Sequence, residues 1–239
     1  MSSLVFPDGE SVADLATFVG RARVLDADGA IRLQAVGEVL AAWVGVLPGE
    51  GLLRSGVVLG LRTMRLHGEH RLDVTVPLAT LTDRFARRAS TGDVGTTLPV
   101  PPGEVAPAWA AVSPPRGGWE PVGQVGGEVL AAAARAGIQE VAEGAPEGSG
   151  SAAVAALRQR VWARPVGAEG PAAAVPSGAA LAVHALGFGP GGTGRQGGGG
   201  GDGGGWGGGG GGGGGALSVH RAGPWVRLSS PAGHVLARP

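Results

Sequence analysis

Residues 71–88 read RLDVTVPLATLTDRFARR, and the hydrophobic period changes in the middle of that string. Leu72, Val74 and Val76 alternate with Arg71, Asp73 and Thr75, the two-residue period of a strand with one buried face. Beyond Pro77 the apolar positions Leu78, Leu81 and Phe85 recur at helical spacing. Proline suits the first position of a helix, where its missing N–H would have no partner in any case. Asp83, Arg84, Arg87 and Arg88 take the other side, and the arginines complement the negative end of the helix dipole without needing a ligand. A strand that runs straight into an amphipathic helix marks an α+β chain.

Upstream, Ser11 with Asp14 resembles a capping box, and Val12, Leu15, Ala16, Val19 and Ala22 continue it as a helix. Asp26-Ala27-Asp28-Gly29 closes that helix in a turn. Ile31, Leu33 and Ala35 alternate with polar residues as a strand, and Gly37-Glu38 is read as a turn into a second strand, Val39 to Leu47, which carries Trp43. Val57 to Leu66 is a third strand, and His67-Gly68-Glu69-His70 is a hairpin turn into the fourth. Residues 1–88 are thus expected to form a helix plus an antiparallel sheet.

Six prolines between Ala89 and Gly118 predict an extended connection with little regular structure, pinned to a domain by Trp109. Residues 119–239 are expected to be helical first and to end in a small β-meander. One helix carries Val129, Leu130, Ala133, Ala134 and Val141 and is broken or loosened at Gly137; a second runs from Ser151 to Ala163. Ala179 to Phe188 fits a buried strand or a helix turn. The meander comprises Leu217–Arg221, Trp225–Ser229 and His234–Ala237. Gly189 to Gly215 is low in complexity and is expected to stay disordered, since polyglycine buries nothing and loses the most backbone entropy on ordering. The similar flanks, Ala180 to His184 and Ala216 to His220, suggest strands paired across it.

Composition excludes more chemistry than it offers. The 239 residues contain no lysine, cysteine, tyrosine or asparagine, and all 19 basic residues are arginine. Schiff-base chemistry, thiolate nucleophiles and cysteine–zinc sites are therefore absent. A formal net charge of zero argues against a general nucleic-acid binder. The amino terminus lacks a basic stretch of the signal-peptide kind, and the apolar part of residues 171–194 is too short to span a bilayer, so a soluble, cytoplasmic protein is expected.

No motif survives as a catalytic site. Gly189-Pro190-Gly191-Gly192-Thr193-Gly194-Arg195 imitates a phosphate-binding loop, but Arg195 replaces the lysine, Gln196 the magnesium-ligating hydroxyl, and polyglycine the helix whose N-terminus would hold the anion. Ser149 lacks the glycine spacing of a nucleophile elbow, and Asp26/Asp28 and Glu140/Glu143 read as turn and helix-face carboxylates. His67 and His70 read as solvated turn residues, not metal ligands. Trp225 and Arg227 alternate on one strand near His220 and form the candidate binding set. In the structural alternative Trp225 covers the core and Arg227 caps it. No cofactor or metal is expected.

Three resemblances add to this. The segments FPDGESVADLATFVGRARVLDADGAIRLQA, RLDVTVPLATLTDRFAR, SPPRGGWEPVG, GSAAVAALRQRVWARP and SVHRAGPWVRLSSPAGHVLAR resemble a group of uncharacterised proteins from GC-rich actinobacterial genomes. That likeness spans the chain and implies no activity. Residues 4–88, ending in VTVPLATLTDRFAR, resemble one module of a bacterial sliding clamp, and the tail SVHRAGPWVRLSSPAGHVLAR is similar to the centre of a bacterial SH3-like barrel. The resulting expectation is an α+β protein that works by non-covalent binding, with another protein as its partner. An enzyme assembled from histidines and carboxylates of separate segments is the alternative.

Overall fold

The computed structural model describes residues 2–144, 150–189 and 215–239. The glycine tract apart from its two ends, the phosphate-loop imitation beyond Gly189, and Ser149 lie outside the described residues. A short strand β1 (Ser3–Val5) precedes helix α1 (Gly9–Leu25), and two long strands, β2 (Ala30–Glu50) and β3 (Ser55–Pro77), form an antiparallel hairpin. Helix α2 (Leu78–Thr91) follows Pro77 directly, with Leu78 and Leu81 buried as the opening string predicts. Strand β4 (Thr97–Pro99) pairs with β1.

Beyond the proline-rich connection come β5 (Glu120–Gly126), α3 (Gly127–Glu143), α4 (Ser151–Ala163), the single turn α5 (Gly170–Ala173) and α6 (Ser177–Leu186). The meander follows as β6 (Ala216–Ala222), β7 (Trp225–Ser230) and β8 (Gly233–Arg238). All the strands except β1 and β4 belong to one antiparallel sheet in the order β2-β3-β8-β7-β6-β5. Strand β8 pairs with β3 over Val57–Leu61 and His234–Arg238, so the amino- and carboxy-terminal halves share a sheet. The principal core lies on one face, where Ile31, Leu33, Val58, Val219 and Val235 meet apolar residues of α1, α2, α3 and α6.

Several sequence readings are corrected. Gly37-Glu38 is a bulge inside the continuous strand β2, and Leu66 to Glu69 of β3 stand opposite Glu38 alone. Gly37 and Gly68 do adopt left-handed backbone, at φ 60° and 78°, but as bulge residues and not as turns. The bulge resets the pleat: Ile31, Leu33 and Ala35 face the core before it, and Leu40, Ala42 and Val44 after it. Helix α1 is capped by Asp8, whose carboxylate accepts from the Ser11 amide at 2.7 Å, whereas Asp14 pairs with Arg62 of β3 at 2.8 Å. Strand β5 occupies residues expected to belong to the helical part. Helix α3 passes through Gly137 unbroken, and Ala179–Leu186 is helix, so it forms no strand pair with β6. The tail strands belong to this open sheet and not to a closed barrel.

Candidate functional site

The second face of the sheet carries a smaller cluster of Val57, Leu59, Trp109, Trp225 and Leu236, with Trp43, Leu61 and Trp119 packed on it. What covers this face is the proline-rich connection, crossing it as a strap. The Val105 amide donates to the Thr75 carbonyl at 2.9 Å, and Arg32 Nη1 donates to the Ala110 carbonyl at 2.8 Å. Trp109, in a 3-10 turn at Ala108–Ala111, lies flat over Gly45, where a Cβ would stand 2.6 Å from its ring. Only glycine lets the indole approach the strand so closely. Farther along, Trp119 Nε1 donates to the Pro115 carbonyl at 3.1 Å.

Between strap and sheet lies a cleft of about 550 Å³. Trp43, Leu61, Leu236 and His234 form its sheet side, Trp109 and Trp119 belong to the strap, and Arg32, Arg116 and Arg227 contribute charge. Among the described residues no carboxylate lines it. Arg32 is already paired: its Nε and Nη2 each donate to Asp73 at 2.8 Å, and Gln34 donates to the same carboxylate at 2.9 Å. That arrangement holds the Asp73 carboxyl below its ordinary value. Arg116 is exposed at the mouth.

Arg227 differs from both. Its guanidinium lies 4.6 Å from the centroid of the Trp119 ring, and its Nε is buried without a hydrogen-bond partner. Among the described residues no ion pair includes it. Burial pulls its pKa down from the ordinary arginine value, the sign of a charge that has lost water without gaining an anion. Across the strands His220 faces Arg227 and Ser229 faces His234. His234 Nδ1 lies 2.9 Å from Ser229 Oγ. Both histidines are held below their ordinary pKa, chiefly by burial and then by the positive charge of Arg227. The Nδ1 of His220 and the Nε1 of Trp43 are likewise buried without partners, so the orphaned polar atoms of the described residues gather on this one face.

The candidate set read from sequence therefore divides. Trp225 is 4% exposed and belongs to the core beneath the face. Arg227 borders the cleft, and His220 stands beside it on β6 without lining the cleft. Trp43, Trp109 and Trp119 escaped notice as a group because they come from a strand and a linker brought together only by the strap. The other histidines lie elsewhere. His67 and His184 are exposed, and His70 Nε2 rests 3.2 Å from the His67 carbonyl. Among the described residues no three His, Asp or Glu side chains converge to hold a metal, and no helix is long and apolar enough to cross a membrane.

The described residues thus form an antiparallel sheet with helices on one face and a strapped, tryptophan-lined cleft on the other. The chain belongs to the family of the domain of unknown function DUF8185, whose model matches residues 114–239; residues 1–111 match a second domain of unknown function, DUF8010. No curated protein and no solved structure matches it.

Proposed function

We propose that this chain is a non-catalytic binding protein and that the strapped cleft is where it binds. The observation that carries this reading is the combination of a recess of about 550 Å³ lined by Trp43, Trp109 and Trp119 with an arginine that has no counter-charge among the described residues. Aromatic walls with a few fixed polar groups are what small-ligand sites are made of. Cleft and strap together fit a small molecule better than the protein partner expected from sequence, because the strap covers the face that a protein would need.

A library of neutral, cationic and anionic fragments, screened by ligand-observed NMR, tests the site. Thr63 lies exposed on the cleft rim, so Thr63→Trp fills the recess without disturbing the core. Fragments that bind the native chain are expected to be lost in that variant. If no fragment of any charge binds, or if binding survives Thr63→Trp, the cleft is not the site.

The Ser229–His234 contact of 2.9 Å favours a second reading, ester hydrolysis with Ser229 as nucleophile. Against it, the contact uses Nδ1 and no carboxylate orients the other ring nitrogen among the residues described around it. Turnover of an activated ester that disappears in Ser229→Ala would favour this second reading over the first.

A further inference from the structure

Resting on the cleft reading above, we infer that the ligand is an aromatic monocarboxylate, its anionic group paired with Arg227 and its ring held among Trp43, Trp109 and Trp119. The sign of the ligand follows from charge. Among the described residues, arginine and no aspartate or glutamate lines the recess. The charge of Arg32 is neutralised by Asp73 and that of Arg116 is open to solvent, which leaves Arg227 as the half-buried cation without a counter-charge among the described residues. A cation or a zwitterion with an exposed ammonium would meet repulsion there and find no acceptor carboxylate.

A single anionic group follows from what is missing around Arg227. The chain has no lysine. His220 and His234 beside Arg227 are kept neutral by burial, so neither adds a second positive charge at neutral pH. A phosphate dianion is usually met by several cations or by a helix N-terminus, and a single guanidinium matches a planar carboxylate instead. With its Cζ 4.6 Å over the centroid of the Trp119 ring and its Nε without a hydrogen-bond partner, Arg227 keeps N–H donors for a carboxylate.

An aromatic body follows from the walls. Trp109 is seated on Gly45 and Trp119 is tied to the Pro115 carbonyl, so both indoles are held before any ligand arrives. Fixed ring faces reward a flat, polarisable ligand over a flexible aliphatic chain of similar size.

Isothermal titration calorimetry of the full chain with para-hydroxycinnamate, its uncharged amide and cyclohexanecarboxylate separates these claims. Para-hydroxycinnamate is expected to bind saturably. The amide should bind at least about tenfold more weakly, because it leaves the half-buried guanidinium without an anion. Cyclohexanecarboxylate should also bind more weakly. Arg227→Gln should abolish the preference for acid over amide, and Arg227→Lys should restore only part of it, since an ammonium keeps the charge but neither fork nor stack. Acid and amide binding equally, or no saturable binding of the acid, overturns the ligand class. If neutral or cationic fragments then still bind the native chain and are lost in Thr63→Trp, the cleft reading stands and only the ligand class falls. If no fragment binds, both fall.

Discussion

Arg227 and Trp225 are two residues apart on β7 and point to the same face, yet they do different work. Trp225 is buried over Val57 and Leu236 and holds the sheet face together. Arg227 sits one step farther along the strand, its guanidinium over the Trp119 ring and flanked by His220 and His234. Its charge has a measurable consequence for its neighbours. Burial and the nearby guanidinium lower the folded-state pKa of both histidines relative to an ordinary value of 6.5. As pH falls through that value, the unfolded chain takes up protons before the folded chain does, so stability declines with acidity until the folded-state pKa values are reached. Thermal denaturation between about pH 7 and about pH 5 should show a falling melting temperature, above the range where carboxylates titrate. His234→Gln keeps a hydrogen bond available to Ser229 and should flatten part of that slope. A melting temperature that rises with acid over this interval would mean that the histidines are stabilised as cations, contrary to their surroundings.

At the scale of single elements, most of the fold was legible wherever one local pattern decided it. The strand–Pro–helix string at residues 71–88 appears as read except that Pro77 ends the strand as the helix cap instead of opening the helix, helix Ser151–Ala163 appears as read, and the three meander strands differ only at their ends. The misreadings at Gly37, Gly68 and Gly137 share a cause, which is glycine. At Gly37 and Gly68 glycine permits a bulge in an unbroken strand as readily as a turn between two strands, and local sequence does not distinguish them. At Gly137 it marks a close approach of helices and not a break, because a Cβ there would stand 2.4 Å from the Trp162 ring. Nothing in residues 127–143 announces an indole that arrives from α4. The same position yields a prediction with competing terms. Alanine is a better helix former than glycine by about 1 kcal/mol in a solvated helix. Here the added methyl must displace a buried Trp162 that is 6% exposed, and overpacking of this kind typically costs about 1–3 kcal/mol. Gly137→Ala should therefore lower stability in chemical denaturation; a gain would show that the α3–α4 contact is loose.

At the scale of the whole molecule, what the sequence could not disclose is that its two compositionally distinct halves complete one sheet. Strands β3 and β8 are separated by most of the chain, and nothing local specifies their partnership beyond alternation in each. The cleft was hidden for the same reason, since its sheet side and its strap come from β2, β3, β7, β8 and the proline-rich connection. This sharing makes a prediction about folding units, since the two family matches cover residues 1–111 and 114–239 separately. If each match were a self-sufficient domain, each fragment would unfold cooperatively when produced alone. The structure argues otherwise. Cutting at the connection exposes the inner edge of β3 from Val57 to Leu61 and the matching edge of β8, leaving two rows of backbone groups without partners. The cut also divides the principal core, because Val58 and Met64 of the first fragment and Ala179, Leu186 and Val235 of the second belong to one cluster. Gly60 shows how tightly the halves meet, for a Cβ there would stand against the Leu186 side chain of α6. Each fragment alone should aggregate or show poorly dispersed amide NMR signals. Mixing or co-expressing them should restore a cooperative thermal transition, with intrinsic tryptophan fluorescence returning toward that of the intact chain as Trp109 and Trp225 regain their shared cluster. A cooperative transition in either fragment by itself would show that the β3–β8 junction is a contact between finished domains and not the centre of one.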